Sequence, residues 1–307
     1  MPRGCAPDAS STWLEVLSPG VLSTVQDLGR PDLGAVGVGH AGAADVPALR
    51  LANRVLSNPE SAAAIEVTLG GLEVVARGGV SLTLTGAPCA LTVDGRAHGP
   101  YGVVWVPDGA TLRLAPPTAG LRSYLAVRGG IDVPPVLGSR STDTLSGIGP
   151  APLAAGDRLP IGRATTAHAG VDVVPVRIPE GGDVTLRLME GPRADWFTDA
   201  GRSALLSGAY EVTADSNRVG MRLSGPVLER ARDDELPSEG TVCGALQVPP
   251  SGQPTLFLAD HPVTGGYPVI AVVVPADVPR AAQVRPGQHI ALRRVPSPSP
   301  DPGAHED

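Results

Sequence analysis

The chain has 307 residues, a net charge of −7 and no lysine, so all 24 of its basic side chains are arginines. Without lysine it can supply no P-loop lysine, no Schiff base and no biotinyl attachment point. A negative charge and only 3% aromatic residues exclude the basic surface and stacking platform that nucleic acids require.

Gly (39) and Pro (33) are abundant, yet 42% of the residues are hydrophobic. That combination predicts short strands and tight turns around a real core, not disorder. The length suits two domains. Residues 1–11 read as a disordered leader, 12–165 as an N-terminal β domain, 184–295 as a C-terminal β domain and 296–307 as a disordered tail. The stretch 163–183 suits a linker.

In chain order, strands are predicted at Leu14–Leu17 and Val21–Gln26 around the Ser18-Pro19-Gly20 turn. Two more, Leu72–Ala76 and Val80–Thr85, flank Arg77-Gly78-Gly79. Ala90–Val93 leads into Asp94-Gly95, a strong hairpin signal, and Val103–Val106, Thr111–Leu114 and Arg122–Val127 follow. One helix stands out: Asp45 can cap it, Pro47 suits its first turn, and Val46, Leu49, Ala52 and Leu56 share a face. In the second half, strands are predicted at Val184–Met189, Glu211–Thr213, Val219–Leu223, Thr241–Val248, Thr255–Ala259, Val269–Val274 and His289–Arg293. Short helices are expected near Pro192–Thr198 and Ala276–Ala281. The sequences before Leu159 and Ile290 echo each other, as a duplicated unit or chance would give. Only the Asp45 segment could serve as a crossover helix, so a βαβ array is rejected.

Three polar, glycine-punctuated loops are candidates for chemistry. The first runs from Gly138 to Gly149; Ser139, Arg140, Ser141 and Asp143 could bind a carboxylate or phosphate, or form a polar surface turn. In the second, Asp215–Arg222, a hairpin turn with Asn217 at positive φ and Arg218 in solvent is the simpler reading. The third spans 238–268 and offers Glu239, Gln247, Gln253, Asp260, His261 and Tyr267. A carboxylate beside His261 could act as an acid/base pair, or both could only stabilise a turn. The cysteines (5, 89, 243) and the remaining histidines are too scattered for a zinc, redox or other metal site. There is no Walker A, GxSxG or HExxH. The chain shows neither a signal-peptide pattern nor about 18 uninterrupted apolar residues, so a cytoplasmic protein without membrane contact is expected.

Together the segments resemble the biotin-dependent carboxyltransferase-like family, also called allophanate hydrolase subunit 2. The resemblance rests on VQDLGRPDLGAVGV (25–38), AGAADVPALRLANRVLSNPE (41–60), LGSRSTDTLSGIG (137–149), SNRVGMRLSGP (216–226), SEGTVCGALQVPPSGQPTLFLADHPVTGGYPVIA (238–271) and QVRPGQHIAL (283–292). It covers nearly the whole chain outside its tails. It departs at Ala41, where the family usually has serine, and at Val269, where a basic residue often stands. The segment after Asp260 also commonly reads differently.

The resemblance implies a mainly β protein of two cyclophilin-like barrel domains with a few short helices. It also implies the role of the C subunit of an ATP-dependent 5-oxoprolinase, inactive alone, that opens 5-oxo-L-proline to L-glutamate with a homologous B subunit and an A subunit. ATP would sit at a shared interface, and the lactam would be activated by phosphorylation of its oxygen. Arg140, Asp260 and His261 become catalytic candidates. Asp45, Asn53, Ser139, Ser141, Asp143, Asn217, Arg218, Glu239, Gln247, Gln253 and Tyr267 become candidates for binding substrate or nucleotide. The alternatives are a carboxyltransferase half-domain acting on biotin carried by another protein, as in urea carboxylase, and a regulatory protein that binds a kinase-inhibitor homologue of the B subunit.

Overall fold

The computed structural model describes residues 12–295 except 166, 168–175, 177, 180 and 233; the expected leader and tail lie outside the described residues. In the first half the aliphatic runs form β1 (Trp13–Pro19), β2 (Leu22–Gln26), β3 (Ala64–Thr68), β4 (Leu72–Arg77), β5 (Val80–Gly86), β6 (Leu91–Val93), β7 (Arg96–His98), β8 (Val104–Val106), β9 (Thr111–Leu114), β10 (Arg122–Val127) and β11 (Arg158–Pro160). They build a six-stranded sheet, β11-β1-β4-β9-β6-β7, and a five-stranded sheet, β2-β3-β10-β5-β8. Both sheets contribute to one aliphatic core containing Leu14, Val25, Ile65, Val74, Leu112 and Leu125. Each such side chain contributes roughly 1.5–3 kcal/mol when fully buried.

Of the turn signals, Asp94-Gly95 closes a hairpin, with Val93 opposite Arg96 and φ of 47° and 79°, as a type I′ turn requires. The other two turns do not. Ser18-Pro19-Gly20 leads from β1, which pairs with β4 and β11, into β2, which pairs with β3. Arg77-Gly78-Gly79 likewise joins strands of different sheets. Sending successive strands to opposite sheets lets their apolar faces meet across the core. Gly20 is needed there: at φ 67° a Cβ would lie 2.2 Å from the Gly70 carbonyl oxygen.

Helix α1 (Val46–Val55) has its expected cap, the Asp45 carboxylate accepting from Ala48 N at 3.1 Å. Its buried face, Ala48, Leu49 and Ala52, packs with Ala64, Tyr124 and Ala126. This puts α1 against the five-stranded sheet, over β5 and β10.

The second half forms β12 (Val184–Glu190), β13 (Ala209–Val212), β14 (Gly220–Ser224), β15 (Glu239–Gly240), β16 (Ala245–Gln247), β17 (Thr255–Phe257), β18 (Thr264–Gly265), β19 (Val269–Val273) and β20 (His289–Arg294). Seven of them close a barrel in the order β12-β19-β16-β17-β14-β13-β20. The parallel pairing of β12 with β20, Val184 opposite Ile290, contributes to its closure. Leu186, Tyr210, Leu223, Leu246, Ile270 and Ile290 belong to its core.

The strand predicted at Thr241–Val248 is shorter. Residues 241–244 leave the ladder, where Gly244 has φ 90°, and β15 pairs separately with β18 as a ribbon. Helix α2 (Asp199–Ser207), capped by Thr198, was not foreseen: it buries only Gly201 and Leu205, too little to show a periodic face. The two short helices expected appear as 3-10 turns at Ala194–Trp196 and Pro275–Asp277, the latter running into α3 (Val278–Ala281). No helix among the described residues is long and apolar enough to cross a membrane.

Candidate functional site

The two halves meet on a buried charge network seeded by one carboxylate in an apolar strand. Glu66 interrupts β3 (Ala64-Ile65-Glu66-Val67-Thr68) and is 1% exposed. It accepts from Ala44 N at 2.9 Å and from the Tyr124 hydroxyl at 2.7 Å. Its main cation, Arg218, comes from the other half. Asn217 aims that arginine by accepting from Val219 N and Gly220 N at 2.8 and 3.2 Å; it makes this turn without a positive φ.

Arg218 is buried, not solvated. Its guanidinium reaches Glu66 and the Gly42 carbonyl and grips both oxygens of Asp260 at 2.9 Å each. Burial alone would raise the Glu66 pKa, but Arg218 and Arg122 reverse this and hold it below the usual carboxylate range. Burial opposes charge on Arg218 too; Glu66 and Asp260 overcome it and raise its pKa.

Asp260 is therefore not the free acid or base expected of it. Besides Arg218, its carboxylate accepts from the Thr144 N and hydroxyl at 2.9 and 2.6 Å. It does not pair with its neighbour His261. The His261 Nδ1 lies 2.8 Å from the Pro262 carbonyl and 3.1 Å from the Thr241 hydroxyl, and the ring stacks on Phe257. Burial lowers its pKa, which keeps the imidazole neutral at pH 7. In the tautomer protonated at Nδ1 the ring donates to the Pro262 carbonyl. Gly39 brings the first half close: a Cβ there would lie 3.4 Å from an Asp143 carboxylate oxygen and 3.6 Å from the His261 carbonyl.

The Gly138–Gly149 loop is organised around Asp27, which reaches it from the end of β2. That carboxylate accepts from the Ser139 and Ser141 hydroxyls and Arg140 N, each at 2.6 Å, and from Gly29 N at 2.8 Å. Asp143 accepts from Leu145 N and Ser146 N at 2.9 and 3.1 Å. The hydroxyls and N–H groups that suggested an anion cradle thus serve the protein's own carboxylates, Asp27, Asp143 and Asp260. Arg140 is half-exposed at the rim, its guanidinium on Asp132 at 2.6 Å and the Val133 carbonyl at 2.8 Å. A triphosphate needs free donors and cations; the polar groups of this loop do not build such a site by themselves.

Other candidates fall apart in space. Asn53 donates to the Glu60 and Ala62 carbonyls at 3.2 and 2.7 Å and ties the turn after α1. Gln253 clasps Gly225 N and O at 2.9 and 3.1 Å. Gln247 donates to the Tyr267 carbonyl at 3.0 Å, while the Tyr267 side chain is exposed. Glu239 is paired with Arg193, which lowers its pKa chiefly through their hydrogen bond.

Asp45 does more than cap. Its second oxygen accepts from the Gln283 amide at 2.8 Å, and its backbone N–H donates to the Tyr124 hydroxyl at 2.7 Å. Gln283 also accepts from Leu121 N and Arg122 N and donates to the Arg122 carbonyl, all at 2.9 Å. Burial raises the Asp45 pKa, with the Gln283 bond only partly offsetting it. A cavity of about 380 Å³ opens beside Asp45, lined also by Pro47 of α1, by Ile178, Pro179 and Asp183, and by Pro279 and Arg280 of α3.

Asp27, Glu66, Arg122, Tyr124 and Gln283 were not singled out from the sequence. For Glu66 there was a signal: a lone charge inside an apolar run must find a partner when buried.

The model of the carboxyltransferase domain, subdomains A and B, matches residues 36–294. The C subunit of Escherichia coli 5-oxoprolinase is 41% identical over 280 residues, 90% of this chain and 89% of that protein. The C subunit of Haemophilus influenzae 5-oxoprolinase is 33% identical over 92% of this chain and 91% of its own length. The urea amidolyase of Saccharomyces cerevisiae is 33% identical over 91% of this chain, which spans only 16% of that enzyme. Among solved structures, TTHA0988 superposes with a TM-score of 0.84 at 36% identity over 94% of this chain, which covers 56% of that one. The Kluyveromyces lactis urea amidolyase superposes with a TM-score of 0.85 at 28% identity over 94% of this chain and 19% of the enzyme. With the family model, the end-to-end relatives and the solved structures in agreement, the chain belongs to the carboxyltransferase domain, subdomain A and B family.

Proposed function

We propose that the chain is the C subunit of a cytoplasmic, ATP-dependent 5-oxoprolinase that opens 5-oxo-L-proline to L-glutamate together with a homologous B subunit and an A subunit, and that it is inactive alone. The supporting observation is the end-to-end relation to the C subunit of the E. coli enzyme, 41% identical across nine-tenths of both chains. Dependence on partners also fits the chemistry of the loops. Asp27, Asp143, Asp260 and Glu239 are engaged internally, so ATP belongs at an interface shared with another subunit. Arg140 at the rim is the cation this chain offers to the phosphates at that interface.

The test is reconstitution. The chain alone, and then with its B and A partners, is assayed for 5-oxoproline-dependent release of ADP and glutamate. Turnover only by the full set is expected; full activity from the chain alone would refute its dependence on partners, and none from the set would refute the substrate.

A second reading, a carboxyltransferase acting with biotin, is favoured by the matches to urea amidolyases. Biotin would then arrive on another protein, since this chain has no lysine. Carboxybiotin-dependent carboxylation of urea by the same reconstituted set distinguishes the two.

A further inference from the structure

We propose that the cavity beside Asp45 binds a small carboxylic acid that also carries an N–H donor, the chemical class of 5-oxo-L-proline. In naming that ligand, the proposal rests on the 5-oxoprolinase reading above. The argument is one of spare hydrogen-bonding capacity. A ligand needs polar groups that the fold has not already satisfied. In the cleft around Asp143 and Asp260 the carboxylates are filled by loop N–H groups, hydroxyls and Arg218. The cavity beside Asp45 differs.

Asp45 is 8% exposed and accepts two hydrogen bonds, from Ala48 N and Gln283. A carboxylate has about four acceptor positions, so Asp45 can still take an N–H from a ligand in the cavity it lines. No arginine forms an ion pair with it among the described residues, and its pKa is raised by burial; a ligand donor would relieve that cost.

Arg280 lines the same cavity. Its ion pair is a loose 3.8 Å contact with Asp277, whose oxygens are already held by Arg187 at 2.7–3.0 Å. The guanidinium is thus free to take a carboxylate bidentately.

The walls are pre-formed. Gln283 is held by four hydrogen bonds, Gln288 ties the Gly182 carbonyl at 2.6 Å, and Pro47, Pro179 and Pro279 supply rigid apolar surface. About 380 Å³ is ample for a five-membered lactam acid. With Asp45 and Asp183 against one arginine, the cavity disfavours a polyphosphate.

The test measures binding of 5-oxo-L-proline, 2-pyrrolidone (no carboxylate) and ATP to the full chain by calorimetry, and KM for 5-oxoproline in the reconstituted complex. Arg280→Ala and Asp45→Ser are compared with the parent chain; serine preserves the helix cap, and thermal unfolding verifies folding. Arg280→Ala is expected to weaken 5-oxoproline binding by about tenfold or more and to raise KM similarly, while leaving weak 2-pyrrolidone binding unchanged. Asp45→Ser should weaken both lactams. Binding and KM for 5-oxoproline indifferent to both substitutions, or ATP displacing the acid competitively, would overturn the pocket assignment even with an active complex. If the complex ignores 5-oxoproline yet another small amide-bearing acid binds in an Arg280-dependent way, the pocket stands and the 5-oxoprolinase reading falls. If no such acid binds the chain or the complex at millimolar concentration, the pocket assignment falls.

Discussion

The seam between the halves and the Gly138–Gly149 loop both carry arginines, carboxylates and hydroxyls, but they use them in opposite ways. At the seam Arg218 is 1% exposed and its charge is matched by Glu66 and Asp260, contributed by different halves. At the loop the carboxylate of Asp27, reaching in from the end of β2, is the buried hub, its partners are hydroxyls and N–H groups, and Arg140 is left at the edge on a surface aspartate. The seam therefore fixes the relative placement of the halves, and the loop holds its own shape while presenting Arg140. A buried charge that is fully matched is part of the framework; a charge with an exposed or loose partner is available for a ligand.

The largest effect expected from this contrast is at Arg218. Arg218→Ala leaves Glu66 and Asp260 buried without their cation and should cost about 3–5 kcal/mol of stability in urea unfolding. A loss below about 1 kcal/mol would mean the seam is solvated and the contrast false. Asp27→Ala should come next, at roughly 2–3 kcal/mol, since it strands two hydroxyls and two N–H donors. Limited proteolysis should then cut within 136–149 first.

Acid sharpens the comparison further. His261 has a folded pKa below the ordinary 6.5, so the folded state resists protonation and stability falls as pH drops below 6.5. Glu66, held below the ordinary 4.5, contributes stability above that pH that is lost as pH falls through its folded value. Asp45 opposes this: its folded pKa lies above the ordinary 3.8, so its contribution is present in acid and lost as pH rises. Unfolding midpoints from pH 8 to 4 should decline, and Glu66→Gln should flatten the lower part of the curve.

The smallest stability effect is at Arg140. Its pair with Asp132 is exposed, so Arg140→Ala should change stability by less than about 1 kcal/mol while lowering turnover of the reconstituted complex at least tenfold. Unchanged turnover would remove Arg140 from the chemistry.

Much of the architecture was legible because its causes are local. Alternating aliphatic runs, the Asp94-Gly95 turn and the Asp45 cap act over a few residues, and each appears in the fold. Helix α2 was missed because its buried face is only two residues. The polar site was harder to read. Arg218 looked like a turn arginine because Asn217 and glycine surround it, and Asp260-His261 looked like a pair because they are adjacent. Both impressions fail for one reason: strand and loop neighbours point to different sides, and their partners, Glu66, Thr144 and Thr241, lie 152, 116 and 20 residues away.

The sequence by itself determined the β architecture, the single capped helix of the first half, the family motifs and the absence of any lysine chemistry. Those follow from side-chain periodicity, turn stereochemistry and composition. Only the tertiary structure decided which polar residues are framework and which retain capacity for a ligand. Burial and hydrogen-bond saturation are properties of the packed pair of halves: the same aspartate is a filled ligand of Arg218 at position 260 and a half-satisfied acceptor beside an open cavity at position 45.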